Sequence, residues 1–384
     1  MEINMKSRFL LIFLLLAGCG RDSGPQFVMP EFRQEVRARA EIIAAVDELS
    51  YTIKNVFSTD SYLITIKNMP RPNSPFLCIY DKRSGEMVKQ GIFRGRGPAD
   101  LLYVQGADFD TNTGDMLVTD GTGGFKNITY FNIYDLLADG IPRFEKKGVV
   151  NCTEHACLLD EDRILFKNNI SEESMFPNVR FEIYDAWDSL LATYTEFPIR
   201  DTVTDINFWL HQQARLSLSP DRKRLAVGTL LRGATLECFD IAENDISLRW
   251  AKYLIEPAYD RKTGERLDRG HLSGFMDVYA ADELIVTVLG DDKQDEVRSI
   301  CLFDWDGQAV KRIVLEDEEL DVFRVCMDSE GNIYALVKDD KDSGYLARIV
   351  ETGPAPDGYR ISESKIKRFS PEKDPEPSIF GVGM

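Results

Sequence analysis

The chain has 384 residues, with 46 Lys or Arg against 64 Asp or Glu, so its formal charge is −18. That sign opposes a phosphate backbone, and no nucleic-acid partner is expected. Hydrophobic residues make up 43% of the chain, enough for one large core, and the repeats below consume so much of the length that no separate catalytic domain fits.

At the N-terminus Lys6 and Arg8 precede an apolar run from Phe9 to Leu16, followed by Ala17-Gly18-Cys19. A bilayer span takes about 20 apolar residues, so residues 1–18 read as a signal peptide. Leu16-Ala17-Gly18-Cys19 resembles the lipobox of bacterial lipoproteins. The resemblance implies a lipid on Cys19 and, since Gly20 and not Asp follows, an outer-membrane anchor facing the periplasm or the cell surface; an ordinary cleaved signal is the alternative. Residues 19–32 then form the lipidated cysteine and a tether. In residues 33–49, Ile42, Ile43, Val46 and Leu49 fall at helical spacing, so this stretch is either a strand that helps close the domain or a short helix covering one face.

From there a unit repeats. An apolar strand ending in an aromatic residue followed by Asp occurs at Cys78–Asp81, Asn132–Asp135, Glu182–Asp185, Glu237–Asp240 and Cys301–Asp304, with the Asp positions 54, 50, 55 and 64 residues apart. A tight polar turn running into a β-rich strand precedes each: Ser58–Asp60 before Tyr62–Ile66, Asp110–Gly114 before Met116–Val118, Asp160–Asp162 before Ile164–Phe166, Ser219–Asp221 before Leu225–Val227, and Ala281–Asp282 before Leu284–Val288. Asp328–Gly331 before Ile333–Val337 makes a sixth copy, whose third strand is expected at Tyr345–Val350 and whose outer strand at Tyr359–Phe369. Asp, Ser, Asn and Gly suit such turns because they cap local backbone groups or accept positive φ. The period is that of a four-stranded antiparallel blade. The expected fold is therefore all-β, a six-bladed β-propeller over residues 33–369, with a flexible tail at 370–384 where Pro371, Pro375 and Pro377 stand among acids.

Cys78, Cys238, Cys301 and Cys326 fall within these strands and read as buried thiols. Cys152 and Cys157 flank His155, which invites a metal or a local disulfide, but with three histidines in the chain and no second ligand cluster the expectation is strand packing and no metal. No nucleophile elbow or phosphate loop is present; Gly270–Gly274 has the wrong spacing for the first. Asp110–Asp115 begins like a calcium loop but has Gly121 where the closing Glu belongs. No cofactor and no catalytic set are expected.

Loop length points to a working face. Within a blade the first and third turns lie at one end of the ring, and here they are short. The second turns and the blade connections lie at the other end and contain the long segments 69–75, 168–178, 197–215, 257–272 and 290–298. On that face the candidate ligand-binding residues are Arg94, Arg96, Phe125, Trp209, His211, Arg215, Tyr259, Arg269 and His271, since guanidinium and aromatic groups recognise sugars, peptides and carboxylates. The alternative for each is packing beneath its own loop or pairing with the many acids. Asp188-Ser189-Leu190 and Asp201-Thr202-Val203 also resemble O-glycosylation acceptors.

Arg94-Gly95-Arg96-Gly97-Pro98-Ala99-Asp100 resembles the Gly-x-Gly-Pro-Gly-Glu stretch between the first two blades of TolB-like six-bladed β-propeller lipoproteins of Bacteroidetes-type bacteria. Gly270–Ile285 and Cys301–Gly307 are similar to that family's fifth blade. The likeness covers roughly residues 50–350, with Ala99 in place of the usual Gly and Asp100 in place of Glu. It implies a propeller at the cell envelope and names no common reaction. Three functions remain open: a non-enzymatic binding module for a glycan, peptide or envelope protein; a hydrolase, lactonase or lyase using carboxylates around the central channel; and an assembly subunit.

Overall fold

The computed structural model describes residues 25–49, 52–68, 70, 74–97, 100–121, 125–139, 145–151, 153–168, 179–185, 189–199, 205–229, 233–265, 267, 274–291, 297–317 and 319–355. Strand β1 (Gln34–Leu49) comes first. A four-stranded antiparallel sheet follows, built of β2 (Ile53–Ser58), β3 (Tyr62–Lys67), β4 (Leu77–Asp81) and β5 (Met87–Gly91). The second holds β6 (Val104–Phe109), β7 (Asp115–Asp120), β8 (Phe125–Asn132) and β9 (Glu145–Asn151), with helix α1 (Ile133–Asp139) between the last two. The third holds β10 (Thr153–Leu158), β11 (Arg163–Asn168), β12 (Phe181–Asp185) and β13 (Ser189–Tyr194). Helix α2 (Asp205–Gln212) leads into the fourth, β14 (Ala214–Leu218), β15 (Arg224–Thr229), β16 (Ala234–Ile241) and β17 (Ile246–Ile255). The remaining strands are β18 (Gly274–Ala280), β19 (Leu284–Asp291), β20 (Val297–Asp304), β21 (Ala309–Leu315), β22 (Asp321–Met327), β23 (Ile333–Lys338) and β24 (Ser343–Pro354). They join β1 in one eight-stranded sheet, in the order β18-β19-β20-β21-β1-β24-β23-β22.

The arrangement is propeller-like. Separate sheets for every repeat were expected; four four-stranded sheets and one of eight strands are found. The cause is β1, whose residues Gln34–Ala38 pair in parallel with Lys311–Leu315 of β21 while its other edge runs antiparallel to β24 as far as Leu49. It thereby fuses two four-strand units. The stretch is a strand and not a helix, and it occupies the outer position beside β24 that Tyr359–Phe369 was expected to fill; those residues lie outside the described ones. Alternation explains the strand: Val36, Ala38 and Ala40 separate Glu35, Arg37, Arg39 and Glu41.

Apolar seams join each four-strand unit to the next. Ile64, Ile79 and Leu77 of the first sheet meet Val104, Met116 and Val118 of the second, and Leu117 and Ile128 meet Ala156 and Ile164. Further seams link Phe181 and Ile183 to Leu216 and Phe239, Leu236 and Cys238 to Phe275 and Phe303, and Val286 and Val288 to Val325 and Val337. The circle closes where Ile53 and Leu63 meet Cys326, Leu336 and Leu346. Each such side chain contributes about 1.5–3 kcal/mol when fully buried.

The aromatic-Asp signature has a local cause. Asp81 Oδ1 accepts the Arg83 and Ser84 amides at 2.9 and 2.8 Å, and Asp304 Oδ1 accepts those of Asp306 and Gln308, while Tyr80 and Phe303 are buried. Other copies depart from this: Asp240 stays within β16 and pairs with Arg249, and Tyr134 and Asp135 lie on α1, because the Asn132 side chain accepts the Tyr134 amide at 2.9 Å and caps a helix whose Ile133 and Leu136 are buried. Asp110 Oδ1 accepts the Asn112 amide at 2.8 Å, a local turn. Cys78, Cys157, Cys238, Cys301 and Cys326 are buried free thiols, and burial pushes Cys238 to about 12 and Cys301 to about 11. Cys152, Cys19, Asp201-Thr202-Val203 and the 370–384 tail lie outside the described residues, as does Asp188. Among the described residues no helix is long and apolar enough to cross a membrane.

Candidate functional site: an axial well

The first strand of each four-strand unit lies innermost, and these strands, β14 excepted, share a defect. The pairing of β2 shifts between Ile53 and Asn55, β6 between Val104 and Gly106, β10 between Thr153 and His155, β18 between Phe275 and Asp277, and β22 between Val322 and Arg324. Each shift is a β-bulge at the second residue or so of the strand, the end reached by the blade connections. A bulge re-aims side chains. In β14 the register is continuous, and Arg215 pairs opposite Gly228.

A cavity of about 230 Å³ results, lined by Lys54 and Asn55 of β2, Gln105 of β6, His155 of β10, Lys167 of β11, Gln212–Leu216 and Asp277 of β18. Helix α2 supplies its rim. Ile206 and Leu210, one turn apart, bury against Ile199, and Asn207 exchanges hydrogen bonds with both backbone groups of Ile199. Lys167 Nζ donates to the Gln212 carbonyl at 2.8 Å, a cation at a helix C-terminus. Next to the cavity, Arg324 donates to the carbonyls of Lys54, Met276 and Phe323, and Asp277 Oδ2 accepts the Val325 amide at 2.9 Å.

Electrostatically the well is a crowd of cations. Burial, and then the charges of Lys54, Lys167 and Arg215, hold His155 down at about 3, so its imidazole is neutral at physiological pH. Burial and the facing Arg324 pull Arg215 down to about 9 against the attraction of Asp277. Arg324 is itself lowered by burial, and burial raises Asp277 despite both arginines. Three polar atoms at the cavity are buried with no hydrogen-bond partner: Arg215 Nε, Asn55 Oδ1 and Gln213 Oε1. Buried polar atoms are normally satisfied, so such orphans mark a site for added groups. Among the described residues no group of three His, Cys, Asp or Glu could hold a metal ion.

The opposite end is closed differently. Arg222, in the turn after β14, reaches Asp108 of the second sheet at 2.6 Å and Asp110 at 3.5 Å, and Asp108 also accepts the Leu158 amide. This bridge joins sheets that are not neighbours.

Of the residues singled out from sequence, the structure brings Arg215 into the well. His211 is fully buried: Arg180 Nε donates to its Nδ1 at 3.4 Å and its Nε2 faces the Asn168 carbonyl at 2.8 Å, while burial, Lys167 and Arg180 hold it neutral. It belongs to a seam in which Arg180 forms a fork with Glu237, 2.6 Å at the shorter arm, among Phe181, Tyr194, Phe197 and Phe239. Trp209 is half-buried on α2, and Tyr259 is half-buried against Ile199, Ile206 and Leu210. Arg94 and Arg96 are exposed on a loop apart from the well. That loop is held by Asp100, which accepts the Gly97 amide at 2.9 Å and lies where a Cβ on Gly95 would stand. Phe125 begins β8; Arg269 and His271 lie outside the described residues. Lys54, Gln105, His155, Lys167 and Asp277 were not foreseen as a site. Their signal is positional: Lys54, Gln105, His155 and Asp277 each fall at the bulge of an inner strand, visible only once the strands are aligned on it, while Lys167 reaches the well from β11.

No family model matches the chain, and no curated protein matches it. Among solved structures it is similar to a protein described as exported from Bacteroides fragilis NCTC 9343, at 12% identity and a TM-score of 0.53, over 85% of this chain and 99% of that one. It also matches a DUF4221 family member from Bacteroides vulgatus ATCC 8482, at 10% identity and a TM-score of 0.49, over 85% and 96% of the two chains. The first likeness supports the overall propeller-like fold.

Proposed function

We propose that this chain is a six-bladed, TolB-like propeller of the cell envelope, held to the outer membrane by a lipid on Cys19, and that it is a non-enzymatic binding module whose ligand seats in the axial well. The eight-stranded sheet is read as two blades welded by β1. The observation that carries the binding role is the repeated bulge: at the end where the long connections lie, polar residues at the bulges of four inner strands line one cavity, with Arg324 of a fifth beside it. Export is supported by the leader-like N-terminus and by the exported description of the B. fragilis protein. A carboxylate-based hydrolase needs several acids around one ion; the described lining has Asp277 as its one acid, beside Lys54, Lys167 and Arg215, and a cationic well repels a metal ion.

The test is a thermal-shift panel of envelope glycans, peptides and small metabolites, run on the protein and on Gln105→Trp, which fills the well. A ligand that raises the Tm of the first and not of the second is the expected result. Ligands that stabilise both equally would place binding elsewhere and sink the reading. Cys19→Ser is expected to abolish labelling by an alkynyl fatty acid in cells; persistent labelling refutes the anchor.

A further inference from the structure

The lining of the well names the chemistry of its occupant, and this step rests on the binding role just proposed. Lys54, Lys167 and Arg215 line the cavity with Asp277 as the one described acid, so positive charge is concentrated in the interior of a chain whose formal charge is −18. Cations gathered this way repel one another in a poorly solvated space, and an anion relieves them. Charge alone would admit phosphate or sulfate. The unpartnered atoms narrow the class: Arg215 Nε needs an acceptor, whereas Asn55 Oδ1 and Gln213 Oε1 need donors. Sulfate only accepts, and phosphate near neutral pH carries one or two O–H groups on a single small centre, fewer donors than a hydroxylated ring offers. A carboxylate carried on a hydroxylated frame does both. Asp277 disfavours a second negative charge and can itself accept from a hydroxyl. The cavity of about 230 Å³ corresponds to roughly eight waters at about 30 Å³ each, the scale of one sugar-sized ring and below the range of drug-sized sites.

We propose that the axial well binds a small hydroxylated monocarboxylic acid, with Arg215 and Lys54 facing the carboxylate and Asn55 and Gln213 accepting from hydroxyls. Calorimetry on the full-length mature protein tests this with three probes: D-glucuronate, D-glucose, which keeps the hydroxylated ring without the charge, and inorganic phosphate, which keeps the charge without the ring. A glucuronate-capped disaccharide run alongside separates a free acid from the end of a glycan chain, since a ligand continuing out of the mouth binds at least as well. Glucuronate is expected to bind about tenfold or more tighter than glucose and phosphate. Arg215→Met should weaken it by about tenfold or more and Gln213→Ala by several-fold, with circular dichroism unchanged; Lys54→Met replaces Arg215→Met if that variant fails to fold. Phosphate binding as tightly as glucuronate, unaltered binding in the cation variants, or no binding of glucuronate at millimolar concentration overturns the proposal. A neutral ligand blocked by Gln105→Trp would overturn this assignment while leaving the well as the binding site. Glucuronate binding that ignores Gln105→Trp would instead remove the well itself.

Discussion

Arg215 and Arg222 flank the same inner strand, one at the well and one at the opposite end of the axis, and their surroundings differ in kind. Arg222 has two carboxylates, Asp108 and Asp110, which keep its guanidinium above the usual range despite burial. Arg215 faces another guanidinium, and its Nε has no partner. Arg180, deepest of the three, is committed to Glu237, the Glu196 carbonyl and His211 Nδ1. Where this fold uses a buried arginine to hold sheets together it supplies an acid for each; in the well, among the described residues, the one acid Asp277 stands beside Lys54, Lys167 and Arg215.

The contrast can be broken most severely at its paired extreme. Glu237→Ala leaves the Arg180 charge buried among four aromatic rings and is expected to cost about 3–5 kcal/mol in urea unfolding, so a loss under about 1 kcal/mol would contradict the account of that seam. Asp108→Asn removes the charge partner of Arg222 and should cost about 1.5–3 kcal/mol by the same measurement. If it costs nothing, the bridge across the axis is ornamental. Arg215→Met, by contrast, removes a group that is repelled as well as attracted, and its stability should change by less than about 1 kcal/mol in either direction. A large loss would mean that Arg215 is a structural arginine like the other two.

A smaller effect is expected on titration. Arg215 is surrounded by Arg324, Asp277, Lys54, Lys167 and the His155 imidazole. An acid bound beside it needs the guanidinium charged, which holds below about 9 and is lost as pH rises through that value. Glucuronate affinity should therefore be flat from pH 6 to 8 and decline as pH rises through about 9. His155 titrates only near 3 and contributes no step in that window. A step near pH 6.5 would show that the imidazole is exposed and the well wetter than described.

The propeller-like fold was legible because turn chemistry is local. Asp81 and Asp304 end their strands at short turns, as the repeat predicts, and cap those turns, and Phe239 and Phe303 are buried as their strands predict. The position of β1 was ambiguous because Ile42, Ile43 and Val46 have helical spacing while the alternation from Glu35 to Glu41 has strand spacing, and only the two open edges of β21 and β24 decide between them. Tyr134-Asp135 misled because Asn132, a capping residue, precedes it. The well itself was invisible for a geometric reason. Its members come from inner strands spread over most of the chain, and a bulge changes which face a residue presents without changing the residue.

The clasp formed by β1 also orders events in time. Val36 pairs with Pro354, so the first strand made has to wait for the last before its outer edge is matched. Bringing those ends together is about six doublings of loop length beyond a hairpin, an entropic penalty of roughly 4 kcal/mol. A chain threading through a membrane in an extended state would thus hold a partly assembled circle, with one edge open to aggregation, until its final fifth is across. Trimming residues 34–40 should slow or prevent that final locking, read as a lower refolding rate.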